Sequence, residues 1–511
     1  MIDLKGIVLS FSVEEQRKFL NYLEKKNKRN DTKNTELFKL VLKHDLSSKD
    51  MCLKLYNEDK KGAYHALRKR LHESIIDFKA NISLQEDTTT EMQIIKYILA
   101  SKSFMAQKQF KVGYSILDKA ETLAKTNDLF TLLNEVYHTK IEYAHAIPTG
   151  NLNALILKFK DNQKAILIEE ELNLVYAKIR RLSNKITYQG AVLDFETLLT
   201  NTLKEHNIKT DDYLSFKSLY QLISIVSFSA FISKDYLNIE PFLIQSYKAI
   251  ISQKHHKKQL FYHIQILHAI ANALFRNKKF DESMSNLEQM HKLMIMNKKQ
   301  YFNTFKLKYN LLLSLNFNYS NNQDLAIKTL EPFTNQKHND IEALLDIHLS
   351  LIMFYFQKND LKKAHSIFSK FYHTDTWYTE KAGKEWVIKK NLIEILLHIE
   401  LQNIDLVESR LLSFKRSYYP YLKSIKQKRV ITYITFIEAY YKNPETITNE
   451  AFKEKLEYAF DWKETHKEDI FVMSFYCWLK SKMNQTKLYE TTLKLVEQAQ
   501  GELKTKPIIE R

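Results

Sequence analysis

The sequence predicts an all-α fold: helix-turn-helix units repeated along a solenoid, preceded by a small N-terminal helical domain. Three observations carry this expectation. The chain has only 7 glycines and 6 prolines in 511 residues, where average usage is roughly 7% and 5% and turn-rich β folds need such residues at every corner. Its apolar residues, part of a 44% hydrophobic composition, recur every three or four positions, the period of a helix with one buried face. Finally, a polar cluster followed by a small or polar residue, three others and a large apolar residue recurs along the chain. It occurs at Gly113 to Leu117, Ser283 to Leu287, Ala326 to Leu330 and Ala364 to Phe368, with a weaker copy at Ser246 to Ile250. The last four in chain order are spaced 37, 43 and 38 residues apart, the period of a helix pair.

Residues 1–84 read as short helices. Ser12 and Glu15 form a capping box before the apolar series Phe19, Leu20, Leu23. A second helix starts near Thr35, Ser47 or Ser48 caps a third over Lys49 to Tyr56, and Asn57 to Gly62 turns into a fourth over Ala63 to Asn81. The tract Gln85 to Thr90 reads as a linker. Residues 91–190 hold the first repeats, Ile94 to Met105 with Val112 to Lys125, then Leu129 to His145, a break at Pro148-Thr149-Gly150, and a long bridging helix over Lys160 to Ile186. Residues 191–503 form the second array. There Phe261 to Phe275 pairs with Phe280 to Met294, Lys306 to Phe317 with Asp324 to Leu330, and Ile341 to Phe356 with Leu361 to Tyr372. A more degenerate copy spans Asn403 to Leu412, with Glu408 in the small position.

The segment Leu267-His268-Ala269-Ile270-Ala271-Asn272-Ala273-Leu274-Phe275, followed by Lys279-Phe280-Asp281-Glu282-Ser283, resembles a tetratricopeptide repeat. Lys362-Lys363-Ala364 and Asp324-Leu325-Ala326 are similar. The resemblance covers about residues 91–147 and 205–500. It implies a non-enzymatic scaffold or adaptor that binds a protein or peptide, and it names no ligand.

Glycine spacing removes whole classes of chemistry. Gly6, Gly62, Gly113, Gly150, Gly190, Gly383 and Gly501 are never close neighbours, so there is no phosphate-cradling loop and no GxSxG nucleophile elbow. The 17 histidines include His255, His256, His263 and His268, but none stands in an HExxH arrangement. The run Glu169-Glu170-Glu171 reads as a helix surface. Cys52 and Cys477, the only two cysteines, form no CxxC. No cofactor and no metal are expected. No stretch of 18 apolar residues is present and the first residues lack signal-peptide character, so the expectation is a cytoplasmic protein without a membrane partner.

A net charge of +17 favours a partner with an acidic surface and leaves nucleic acid as an alternative. The strongest basic and aromatic cluster supplies the candidate partner-binding residues Arg416, Tyr418, Tyr419, Tyr421, Lys423 and Arg429. Pro420 is expected to stop a helix there and leave the rings at a repeat edge. The alternative is a nucleic-acid-binding regulator, with a helix-turn-helix-like contact to DNA through Arg68, Lys69 and Arg70 and a sensing or dimerising repeat array behind it. Residues 1–84 carry 18 Lys and Arg against 12 Asp and Glu. The turn Asn57 to Gly62 is long for that motif, and Leu67, Leu71, Ile75 and Phe78 suit plain packing.

Overall fold

A chain poor in breakers and apolar at helical spacing has one regular element open to it. In the computed structural model all regular structure among the described residues is helical, and neighbouring helices pack in pairs. The described residues are 4–9, 11, 13–26, 33–43, 46–86, 89–146, 151–189, 197, 201, 205, 215–233, 236–252, 259–336, 338, 340–425, 427–460 and 470–505. Two compact units divide the chain, Met1–Asn162 and Gln163–Arg511.

The first unit holds α1 (Leu4–Leu9), α2 (Val13–Lys26), α3 (Lys33–Lys43), α4 (Ser48–Tyr56), α5 (Lys61–Glu86), α6 (Thr90–Ala106), α7 (Phe110–Thr126), α8 (Phe130–Glu142) and the start of α9 (Leu152–Gln189). Ser47 caps α4 by accepting from the Asp50 N–H at 3.2 Å. Ser12, the expected cap of α2, lies outside the described residues, as do Pro148 to Gly150. Phe19 packs edge-on against Phe38 and Phe78, with centroids 4.8 and 4.9 Å apart, and Leu67, Leu71 and Ile75 of α5 are buried in the same core. Two sequence expectations change here. The turn before α5 is the four residues 57–60, because the helix already starts at Lys61. Part of the expected linker is helix: Gln85 and Glu86 end α5, Thr90 opens α6, and Thr89 caps α6 by accepting from the Met92 N–H, while 87 and 88 lie outside the described residues.

The second unit continues with α10 (Phe216–Ser233), α11 (Glu240–Ser252), α12 (Leu260–Arg276), α13 (Phe280–Lys299), α14 (Phe302–Tyr319), α15 (Gln323–Leu330), α16 (Ile341–Gln357), α17 (Leu361–Phe368), α18 (Asp375–Ala382), α19 (Lys384–Glu400), α20 (Ile404–Ser424), α21 (Lys428–Lys442), α22 (Glu450–Phe460), α23 (Ile470–Met483) and α24 (Leu488–Thr505). One apolar core runs from Ile264 to Ala499 through it.

The turns inside these pairs explain how the chain reverses with so few glycines. Lys108, Lys278, Asn321, Asn359 and Gln402 all take left-handed backbone, with φ between 58 and 63°. In each case the next N–H bonds the carbonyl five residues back, as in Gln109 to Phe104, Lys279 to Leu274, Asn322 to Phe317, Asp360 to Tyr355 and Asn403 to His398, at 2.8 to 3.0 Å. This bond closes a Schellman turn, where glycine is usual. Placing an ordinary residue there costs roughly 1–2 kcal/mol, which the packing that follows offsets. Five positions after each left-handed residue comes a buried one, Gly113, Ser283, Ala326, Ala364 or Val407. The backbones cross there closely enough for direct bonds, Ser101 to the Gly113 carbonyl (3.1 Å), Ser283 to Ala271 (2.8 Å) and Ser314 to Ala326 (2.7 Å). In the degenerate copy the buried position is thus Val407, while Glu408, expected there, is exposed.

Candidate functional site

The first helices of successive pairs in the second unit turn residues toward a common cavity of about 410 Å³. Helix α12 contributes His268, Asn272 and Arg276; α14 adds Lys308 and Leu311; α16 adds Glu342, Asp346 and Ser350; and α19 adds Glu385, Trp386 and Lys389. Phe471 and Ser474 of α23 close it, and Gly383 lies at its edge. That glycine is required: its φ is +90° with ψ 162°, a region essentially reserved for glycine. A Cβ would also sit 2.8 Å from the Thr187 Cγ2 and 3.1 Å from the Thr187 carbonyl.

Most charges of the cavity are already engaged. Lys308 lies 3.9 Å from Asp340 and Lys389 is 3.2 Å from Glu385. The Phe471 ring takes the Arg276 guanidinium at 4.9 Å and the Lys389 ammonium at 5.4 Å. Asp346 differs, having no ion pair. Burial, then the nearby Glu342 carboxylate, pushes its carboxyl up to about 7, against the opposing pull of Lys389, the Trp386 N–H and Arg276. The indole nitrogen of Trp386 is buried and makes no hydrogen bond of ordinary geometry, although its dipole acts on Asp346. Burial draws His268 down to about 4, so it is a neutral imidazole at pH 7. Such a site can hold a ligand by pairing and stacking. Among the described residues no group of three or more His, Cys, Asp or Glu could hold a metal ion, and no helix is long and apolar enough to cross a membrane.

The residues expected from the sequence to form the partner site lie elsewhere. Pro420 does not stop the helix: α20 continues to Ser424, because buried Tyr418 and Leu422 anchor both sides of the proline. Tyr418 is core, its hydroxyl donating to Asp375 at 2.7 Å beside Lys390 (2.9 Å) and Asn391 (2.9 Å). Burial raises the Asp375 carboxyl, but these bonds outweigh it and hold the group below its ordinary value. Tyr419 and Tyr421 are half-buried against the same core, with Lys384 4.0 Å from the Tyr421 ring centroid. Only Arg416, Lys423 and Arg429 of that set are exposed.

In the first unit Lys69 and Arg70 are exposed, and Arg68 is half-buried 5.9 Å from the Tyr64 ring. Of the histidines singled out, His263 is buried and bonded to the Tyr247 hydroxyl at 2.8 Å, His268 lines the cavity, and His255 and His256 lie outside the described residues. Glu169, expected on a helix surface, is buried and paired with Lys217 at 2.5 Å. The cavity itself escaped the sequence reading because its residues come singly from helices tens of positions apart. One signal was present, the lone acid Asp346 inside the apolar run Ala343 to Phe356. No family model matches this chain, and a search of curated proteins finds no significant match.

Proposed function

We propose that the chain is a non-catalytic, tetratricopeptide-like helical-repeat protein whose second unit binds a peptide segment of a partner protein. The observation that carries this reading is the cavity to which α12, α14, α16 and α19 all contribute polar residues, with apolar ones from α14, α16 and α19. Its volume of about 410 Å³ falls within the roughly 300–1,000 Å³ of ligand pockets, which combine apolar walls with a few placed polar groups. The site moves from the α20 tyrosines to this cavity, since Tyr418 already serves the core. Filling the cavity tests the reading. The immobilised protein should retain members of a hexapeptide library, and Ser350→Trp, with an unchanged helical signal, should lose them. Equal retention by the filled variant would overturn it.

A second reading, DNA contact by the first unit, gains from the four-residue turn 57–60 between α4 and α5, the length used by helix-turn-helix motifs. The exposed side of α5 beyond it presents Gly62, Ala63, Ala66, Lys69 and Arg70, small and basic residues suited to close approach. Sequence-selective binding to duplex DNA, abolished by changing Arg68, Lys69 and Arg70 together, would favour this reading. Weak binding that disappears with salt and tolerates the triple change would reduce it to bulk charge.

A further inference from the structure

The charges of the cavity are unbalanced by one. Its basic residues are Arg276, Lys308 and Lys389, and its acidic ones Asp340, Glu342, Asp346 and Glu385. The bases have engagements of their own: Lys308 with Asp340, Lys389 with Glu385, and Arg276 over the rings of Phe471 and Tyr236, the latter at 5.1 Å. Asp346 is left as a half-buried carboxyl lining the cavity without an ion pair, and drawing a charge out of water is costly unless it is paired and hydrogen-bonded. Beside it stands Trp386, 6% exposed, with a buried indole N–H that acts on the Asp346 carboxyl but makes no hydrogen bond of ordinary geometry.

We propose that the cavity receives one positively charged group of the bound peptide, an ammonium or a guanidinium, on the Asp346 carboxylate, with the aromatic faces of Trp386 and Phe471 along its stem. The inference rests on the peptide-binding reading and adds the chemistry of the ligand. A monocation supplies the missing charge, and the alkyl stem of a basic side chain covers apolar wall while its head is paired. Aromatic faces attract cations further. Glu342, exposed one turn before Asp346 on the same helix, places a second acid on the approach. An anionic ligand would meet bases that already have partners and would add to the acidic excess.

Binding is then linked to pH. The groups around Asp346 are Glu342 on its own helix, Arg276 and the neutral His268 on α12, Lys308 on α14, and Glu385, Trp386 and Lys389 on α19. Because the unliganded carboxyl titrates at about 7, a cation must displace its proton at lower pH. Apparent affinity should fall by up to about tenfold per pH unit below 7 and level off above.

The test uses the full chain and a positional-scanning hexapeptide library, acetylated and amidated so that only side chains carry charge, with a second library bearing free N-termini. At pH 7.5 the expected result is at least fivefold enrichment of lysine and arginine over norleucine at one position. A free N-terminal amine preferred over both would support the same site with the ammonium coming from the peptide end. Enrichment should vanish in Asp346→Asn, persist in Asp346→Glu and decline at pH 6. Peptides retained without preference for a cation, or with a preference that survives Asp346→Asn, would overturn this inference and leave peptide binding standing. No peptide retained by the unaltered protein would overturn both.

Discussion

Replacing Asp346 with asparagine should stabilise the unliganded protein, increasingly as pH rises from about 4 to about 7. Burial and Glu342 together push the carboxyl from its ordinary 3.8 to about 7. A carboxyl whose folded pKa is raised adds most stability below its unfolded pKa, where both states hold the proton. That stability is lost as pH rises from about 4 to about 7 and does not change further above. At about 1.4 kcal/mol for each tenfold difference in proton affinity, keeping Asp346 ionised costs about 4 kcal/mol, or nearer 2 if water entering the cavity relaxes the field. Asparagine has nearly the same shape and never ionises. The difference in unfolding free energy between variant and parent, measured in urea, should therefore be small near pH 4, grow through pH 7 and stay level at about 2–4 kcal/mol at pH 8. Groups that do not interact with Asp346 contribute equally to both proteins and cancel in the difference. A gain independent of pH would show that the carboxyl is not the cause. A parent more stable than Asp346→Asn at pH 8 would show that Asp346 has a cation partner without ligand, and the charge argument for the cavity would go with it.

Two further predictions concern the frame around the site. Gly383→Ala should cost about 2–4 kcal/mol, from a backbone region closed to alanine and the 2.8 Å approach to Thr187. Gly501→Ala, inside α24 with nothing within 4 Å of the added carbon, should instead stabilise by roughly 0.5–1 kcal/mol; thermal melts that shift alike would contradict the geometry at the cavity edge. Tyr418→Phe should lower stability by about 1.5–3 kcal/mol by removing a hydrogen bond to charged Asp375, whereas replacing exposed Arg416, Lys423 and Arg429 together should leave the urea midpoint almost unchanged. A larger loss from the triple change would return weight to the α20 surface.

Helices and their pairing were legible because they depend on local signals, the spacing of apolar residues and polar clusters at the turns. Ser283, Ala326 and Ala364 stand at buried crossings because the left-handed turn and the small residue five positions on belong to one short stretch of sequence. Pro420 misled for the opposite reason. Its local effect is to break a helix, but Tyr418 and Leu422 are fixed by partners elsewhere in the chain, Asp375 among them, and tertiary packing overrides the local preference. The tyrosine cluster misled in the same way: rings near lysines look alike in sequence whether they face a partner or a neighbouring helix.

Asp346 shows what a sequence can offer when the site is assembled from distant helices. An acid inside an apolar helix run is costly unless something pairs with it, so its presence signals either an internal partner or an external one. The sequence alone does not separate these, because Glu394, equally placed in the apolar run of α19, turns out to have the internal partner Arg410 at 2.8 Å. Asp346 has no such pair, and its neighbours Lys389 and Arg276 have engagements with Glu385 and Phe471. The distinction between a structural and a ligand-binding carboxylate therefore lies in where the surrounding cations are held, a property of packing, and it directs the search for a partner toward peptides carrying a basic group.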